Sequence, residues 1–316
     1  MNDIAVAPRV KPVGSQPNLK GVFAAALTPV NADFTPDIKL HAAHCKWLLA
    51  NGCDGLGVLG TTGEAASFSV AERIAIVEGL VKEGIPAAKL LPGTGCAAFT
   101  DSVTLTKAAL DIGAKGVLVL PPFYYKNVGD DGLADAYSAI IDRVNDPRLF
   151  LYFYHFPAMS AVPISHDLIA RLRQRYGHTV AGMKDSSGVV ENMVGALKKN
   201  PGFEVFAGAD PAFLPLLRDG GVGCITAACN LMPDVLAKIY ANRDSAAAEA
   251  PHATALKVRE VVAKHGGIPA IRGLVARHTG NKQWLRPRPP LSAPSEVNLK
   301  QLYADMDATG YKMPAL

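Results

Sequence analysis

From residue 21 onward the chain alternates short apolar runs with longer amphipathic stretches, and the alternation repeats eight times. The apolar runs cover 22–27, 55–59, 90–93, 116–120, 149–154, 180–183, 204–207 and 223–227. Each is too short for a helix, several are rich in Val, Ile, Leu, Phe or Tyr, and most end in Gly, Pro or Thr, as strands buried on both faces of a parallel sheet do. The segments between them are helix-sized and carry start signals. Ser69-Val-Ala-Glu72 reads as a capping box, while Thr35-Pro36 and Asp210-Pro211 each read as an N-cap followed by proline at the first helical position. Eight strand-helix units predict a closed α/β architecture, the (β/α)8 TIM barrel. A doubly wound open sheet is the alternative, but the glycine-rich first turn it would use is replaced here by Leu27-Thr28-Pro29-Val30.

After about residue 231 the strand signal stops. Residues 233–241, 246–265 and 297–308 read as helices, with Gly266-Gly267 and Arg286-Pro-Arg-Pro-Pro290 as breaks. The expected organisation is a flexible N-terminal tail over 1–18, the barrel over 19–232, and a helical extension packed on the barrel over 233–316. Pro8, Pro12, Gly14 and Pro17 mark the tail, which lacks the apolar segment of a secretory signal.

Composition narrows the function classes. The chain is 49% hydrophobic with a formal charge of +4, and no dense Lys/Arg block is interleaved with aromatics, so nucleic acid is not an expected partner. No apolar run reaches membrane-spanning length, so no membrane partner is expected. Cys45, Cys53, Cys96, Cys224 and Cys229 are odd in number and contain no C-x-x-C pair, which argues against a disulfide framework or zinc knuckle and for a cytoplasmic location.

Barrels place their chemistry at the C-terminal ends of the strands. The sixth run ends in Lys184, followed by the small polar turn Asp185-Ser-Ser-Gly188. Taken alone, a strand-end lysine is most often a solvated charge; an amine works as a nucleophile only when neutral, a state that an apolar barrel mouth favours by desolvation. The company of Lys184 supports chemistry. Alternation puts Tyr152 and Tyr154 on one side of the fifth run, and adjacent parallel strands lie about 4.8 Å apart, so Tyr154 is expected to reach Lys184. After the second run, Gly60-Thr61-Thr62-Gly63-Glu64 offers backbone N–H groups and two hydroxyls to a carboxylate or phosphate. The fourth run ends in Pro121-Pro122-Phe123-Tyr124-Tyr125-Lys126, where paired tyrosines are more often packing or interface residues. His41-Ala-Ala-His44 lacks the Glu of a zinc-protease motif and reads as a pair on a helix surface, away from the strand ends.

Gly60-Thr-Thr-Gly-Glu64, Tyr154 before a proline, and Gly182-Met-Lys184-Asp-Ser-Ser, in this order, resemble the dihydrodipicolinate synthase and N-acetylneuraminate lyase family of class I aldolases. Phe206-Ala-Gly208-Ala-Asp210 and Gly223-Cys-Ile225-Thr226-Ala-Ala-Cys-Asn230 extend the match over nearly the whole chain from about residue 19. The resemblance implies that Lys184 forms a Schiff base with pyruvate or another 2-oxo acid and that Tyr154 is the general acid/base. It implies Thr61 as proton relay and Thr62 as carboxylate contact. A tyrosine from a neighbouring subunit completes the relay; Tyr124 matches it best and Tyr125 stays open. Gly60, Gly208, Asp210, Ile225, Thr226 and Met159 are implied as substrate-binding positions, with His155 and Asn230 also expected around the distal pocket. No metal or organic cofactor is implied, and the assembly is a homotetramer built from dimers.

The pattern departs from the family at two points. Met159 stands where dihydrodipicolinate synthases carry an arginine for the aldehyde's carboxylate, and Asp210-Pro211 replaces the Asp-Glu pair with which sialic acid lyases hold a sugar tail. The expected activity is therefore a lyase or aldolase acting on a 2-keto-3-deoxy sugar acid or a substituted pyruvate. The alternative is 4-hydroxy-tetrahydrodipicolinate synthase with Arg272 or Lys126 replacing the missing cation, and a non-enzymatic 2-oxo acid binding barrel is a third.

Overall fold

The computed structural model describes residues 18–316; the tail expected over 1–18 lies, up to residue 17, outside the described residues. Among the described residues seven strands form one all-parallel sheet: β1 (Gly21–Ala24), β2 (Gly55–Leu56), β3 (Val117–Val119), β4 (Leu151–His155), β5 (Val180–Asp185), β6 (Glu204–Ala207) and β7 (Gly223–Thr226), in the order β2-β1-β7-β6-β5-β4-β3. The run at 90–93, expected as a strand, closes the ring through single bridges. Leu56 pairs with Leu90 on one side and Gly93 with Leu118 on the other, both parallel. Close approach explains the short contact: a Cβ at Gly93 would meet the Leu59 carbonyl oxygen, so the backbones pass with no room for a side chain.

The ring of strands is packed on both faces. Alternate positions project inward, where Phe23, Leu91, Leu118, Tyr152, Phe206 and Ile225 fill the barrel. The opposite positions meet a helical ring: α1 (Ile38–Ala50), α2 (Val70–Lys82), α3 (Phe99–Asp111), α4 (Asp130–Val144), the single turn α5 (Pro157–Ser160), α6 (His166–Tyr176), α7 (Val190–Lys199), α8 (Phe213–Arg218) and α9 (Pro233–Ala241), the last packed on β1. The chain ends in α10 (Glu249–Lys264), α11 (Ile268–Thr279) and α12 (Glu296–Ala308). Among the described residues no helix is long and apolar enough to cross a membrane.

The capping box at Ser69 is present in full, with Ser69 N–H donating to Glu72 and Glu72 N–H to the Ser69 hydroxyl. The two other helix starts differ from expectation. Pro36 pairs antiparallel with Val30, so the cap moves to Asp37, whose carboxylate accepts from Leu40 N–H at 2.9 Å. Asp210 opens a single 3-10 turn and caps nothing, because its carboxyl is buried against the barrel mouth. The break at Gly266-Gly267 restarts at once as α11, a helix the periodicity did not single out.

The His41/His44 pair also differs from the helix-surface expectation: both side chains are buried. Trp284, from the turn after α11, lies with its ring centroid 4.9 Å from that of His44, and the His44 Nε2–H donates to the Asn230 carboxamide oxygen at 2.9 Å. The late segments therefore cover a helix face that would otherwise be solvated.

Candidate active site

In β4 and β5, Tyr154 and Lys184 are direct register partners. Lys184 is 4% exposed, and its Nζ sits 4.2 Å from the centroid of the Tyr154 ring. The Tyr154 hydroxyl lies 3.1 Å from Thr61 Oγ1, so amine, phenol and threonine form one chain of contacts at the C-terminal end of the barrel. This is the geometry the alternation of the fifth run and the register of parallel neighbours require.

The Thr61-Thr62 loop is held in a strained conformation. Leu59 and Glu64, which flank it, both have left-handed backbone angles, φ 55° and 57°. Side chains other than glycine, asparagine and aspartate rarely adopt this region, so the surroundings must enforce it. Glu64 is enforced by Arg272, whose Nε donates to Glu64 Oε1 at 2.6 Å while Arg288 N–H donates to Oε2 at 2.7 Å.

A cavity of about 390 Å³ opens over these groups. Lys184, Tyr154, Thr61 and Thr62 line it, together with Gly208 and Ser186. Glycine is required at 208, since a Cβ there would meet the Ser186 hydroxyl and the Asp185 carbonyl. Asp185 itself serves the turn, accepting from Ser187 N–H at 2.7 Å and from the Asn192 amide at 2.6 Å. The apolar part of the wall is made by Phe156, Met159, Val262, Ile271 and Leu291, and Asp210 and Arg259 line the same cavity. Asp210 is 1% exposed, and burial pushes its carboxyl up to about 6, against the pull of the Thr226 hydroxyl and Arg259.

Of the residues singled out from sequence, the structure brings together Lys184, Tyr154, Thr61, Thr62, Gly208, Asp210 and Met159. It does not bring Gly60, Ile225, Thr226 or Tyr124 to the cavity wall. Ile225 points into the barrel interior. Thr226 is buried behind Asp210, with its hydroxyl 3.8 Å from Cys229 Sγ. Gly60 faces open space. Tyr124 and Tyr125 are 74% and 73% exposed on their loop, in edge-to-face contact with each other.

His155 and Asn230 are corrections. Alternation turns His155 to the outer face, where its Nδ1 accepts from Ile164 N–H at 3.1 Å and burial lowers its proton affinity. Asn230 ties the last strand end to the first: its oxygen accepts from Leu27 N–H, and its amide donates to the Ala25 and Ala227 carbonyls. Neither cation considered as a replacement for the missing arginine faces the cavity. Arg272 is fully buried and bound to Glu64 and to the Thr28 and Trp284 carbonyls. Lys126 donates to the Ser160 carbonyl at 2.9 Å. The cation that lines the cavity besides Lys184 is Arg259 on α10, which sequence reasoning missed.

Residues 18–309 match the model of the dihydrodipicolinate synthetase family. A protein of Chloroflexus aurantiacus described as an uncharacterized DapA-like lyase is 35% identical over 223 residues, 70% of this chain and 74% of that one. The crystal structure of dihydrodipicolinate synthase from Agrobacterium tumefaciens superposes with a TM-score of 0.86 at 29% identity, covering 93% of this chain and all of that one. YagE, a prophage protein of the dihydrodipicolinic acid synthase family from E. coli solved in complex with pyruvate, superposes with a TM-score of 0.84 at 25% identity, covering 92% of this chain and 99% of that one. The chain belongs to the dihydrodipicolinate synthetase family and is a lyase of the class I aldolase type.

Proposed function

We propose that Lys184 forms a Schiff base with the keto carbon of pyruvate or another 2-oxo acid, and that the enzyme makes or breaks a bond beside that carbon. The register pairing of Tyr154 with Lys184, with Thr61 at 3.1 Å from the phenol, carries this reading. In the cleavage direction Lys184 Nζ adds to C2 of the substrate, and Tyr154 gives its phenolic proton to the carbinolamine hydroxyl, which leaves as water to form a protonated imine beside a phenolate. The Tyr154 phenolate takes the proton of the C4 hydroxyl, the C3–C4 bond breaks, and its electron pair passes into the imine as an enamine while an aldehyde leaves. The phenol returns its proton to C3, and water releases pyruvate and the free amine. Thr61 relays protons between Tyr154 and solvent, and Thr62 contacts the 2-oxo acid's carboxylate. These steps balance with no metal or organic cofactor.

Tyr124 completes the relay from a neighbouring copy in a homotetramer; its 74% exposure in the single chain is compatible with that role. The five free cysteines fit a reducing cytoplasm. The apolar part of the wall favours a substituted pyruvate over a polyhydroxylated sugar acid, because each buried hydroxyl without a partner costs about 1–3 kcal/mol. 4-Hydroxy-tetrahydrodipicolinate synthase activity is the second reading, supported by the Agrobacterium structural relative and weakened by the commitment of Arg272 and Lys126 elsewhere. Borohydride reduction in the presence of pyruvate tests the first step: the expected product is a reduced pyruvate adduct on the peptide containing Lys184, and an adduct on another lysine, or none, rejects the assignment.

A further inference from the structure

The cavity has two cationic side chains in its wall, one buried and one 44% exposed. Lys184 lies on β5, and Arg259 lies on α10. A guanidinium carries five N–H donors. Among the described residues that of Arg259 makes no hydrogen bond, and its one ionic contact is Asp210 at 3.8 Å, beyond hydrogen-bond length. Asp210 is in turn 1% exposed, lines the same cavity, and leaves its Oδ1 without a partner. The Arg259 side chain is 44% exposed while its ionic partner is buried, so its donors are open to a ligand that enters the cavity, and a ligand carboxylate is the acceptor whose shape and charge match them. Phe156, Val262, Ile271 and Leu291 line the wall around them and give a linking chain no hydrogen-bonding side chains.

We propose that Arg259 is the specificity-determining residue for a terminal carboxylate, and that the substrate class is a 2-oxo dicarboxylic acid whose two ends are joined by a mainly apolar chain. One carboxylate stands beside the keto group near Lys184, and the other takes the fork of Arg259. This rests on the Schiff-base reading for the orientation of the first end. A carboxylate is favoured over a phosphate at the far end, because both stand near the Asp210 carboxyl that shares Arg259 and the singly charged group is repelled less than a dianion.

The test uses ligands matched in length that differ only at the far end: 2-oxoglutarate, 2-oxoadipate and 2-oxopimelate against 2-oxopentanoate, 2-oxohexanoate and 2-oxoheptanoate. Calorimetry on the full chain is expected to find at least one diacid bound about 10- to 150-fold more tightly than its monoacid, the value of one charge-assisted hydrogen-bonded contact. The preference is expected to collapse in Arg259→Gln and to return in part in Arg259→Lys, which keeps the charge without the fork. No preference in the wild-type protein, or one that survives Arg259→Gln, overturns the proposal. Borohydride trapping with the same ligands reads the Schiff base separately, so absence of an adduct on Lys184 rejects the catalytic reading while the binding ratio still decides the role of Arg259.

Discussion

Arg272 and Glu64 form an ion pair removed from solvent, with Nε donating to Oε1 at 2.6 Å, and it joins two parts of the chain 208 residues apart. Arg272 lies on α11, Glu64 at the end of the loop that carries Thr61 and Thr62. The remaining donors of the guanidinium go to the Thr28 and Trp284 carbonyls, and the second carboxylate oxygen accepts from Arg288 N–H. All charge is thus matched, and the strained backbone at Glu64 is held from the C-terminal side. The pair acts through Thr61, so it positions the site without touching substrate.

Removing one partner leaves the other buried and uncompensated, which costs about 3–5 kcal/mol. Glu64→Gln is expected to lower the unfolding free energy by that amount in urea titrations. Because Gln keeps the shape of the loop but not its charge, kcat is expected to fall while KM for the 2-oxo acid changes less. A variant with wild-type stability would show that the pair contributes little.

Tyr154→Phe removes the phenol that meets Thr61 and leaves the ring over Lys184 in place. Loss of a positioned general acid/base costs about 10²–10⁴-fold in rate. That loss is expected in kcat, with slowed borohydride trapping that still goes to Lys184. Thr61→Val is expected to cost less, since it removes the relay and not the base. A Tyr154→Phe variant with wild-type kcat would argue that Tyr154 acts only as packing for the amine.

Much of this site was legible because it depends on local rules. Period-two alternation along β4 and the parallel register with β5 place Tyr154 beside Lys184 with no further information. Arg259, His41 and His44 were not legible, because their surroundings come from segments that return to the barrel late in the chain. His44 is buried by Trp284, 240 residues away, and Arg259 lines the cavity through the placement of α10 over the strand ends. One signal was present and passed over: Pro269 in the first turn and Gly280 in the left-handed region after the last turn bracket α11, and together they mark a helix that begins directly after the Gly266-Gly267 break.

His41 is fully buried, and among the described residues neither ring nitrogen has a partner. Burial, with His44 and Arg272 nearby, lowers its proton affinity to about 3, and burial lowers that of His44 to about 4. Both values lie below the ordinary 6.5, so the unfolded chain takes up protons first. Their contribution to stability is complete above about pH 6.5 and is lost as the pH falls toward 4 and then 3. His41→Leu removes an unsatisfied polar ring, so its stability at pH 7 is expected to match or exceed wild type by about 1–2 kcal/mol. Its acid unfolding, followed by circular dichroism, is expected at lower pH and with a shallower slope; an unchanged slope would mean that His41 stays neutral for a reason other than burial.

Asp210 titrates with the opposite sign. Its carboxyl is raised from 3.8 to about 6 by burial, so between those values the folded protein holds a proton that the unfolded chain has released. Stability from this group is greatest below about pH 4 and declines as the pH rises to 6, by about 3 kcal/mol at 1.36 kcal/mol per pH unit. Asp210→Asn removes that titration. Relative to wild type the variant is therefore expected to gain about 3 kcal/mol between pH 4 and pH 6 and to keep a constant difference above pH 7, whatever offset the lost contacts with Arg259 and Thr226 introduce. Paired urea titrations at pH 4, 5, 6 and 7 read the difference directly. A difference that does not vary across the series would mean that Asp210 is ionised throughout, held by Arg259 at 3.8 Å more strongly than burial opposes it.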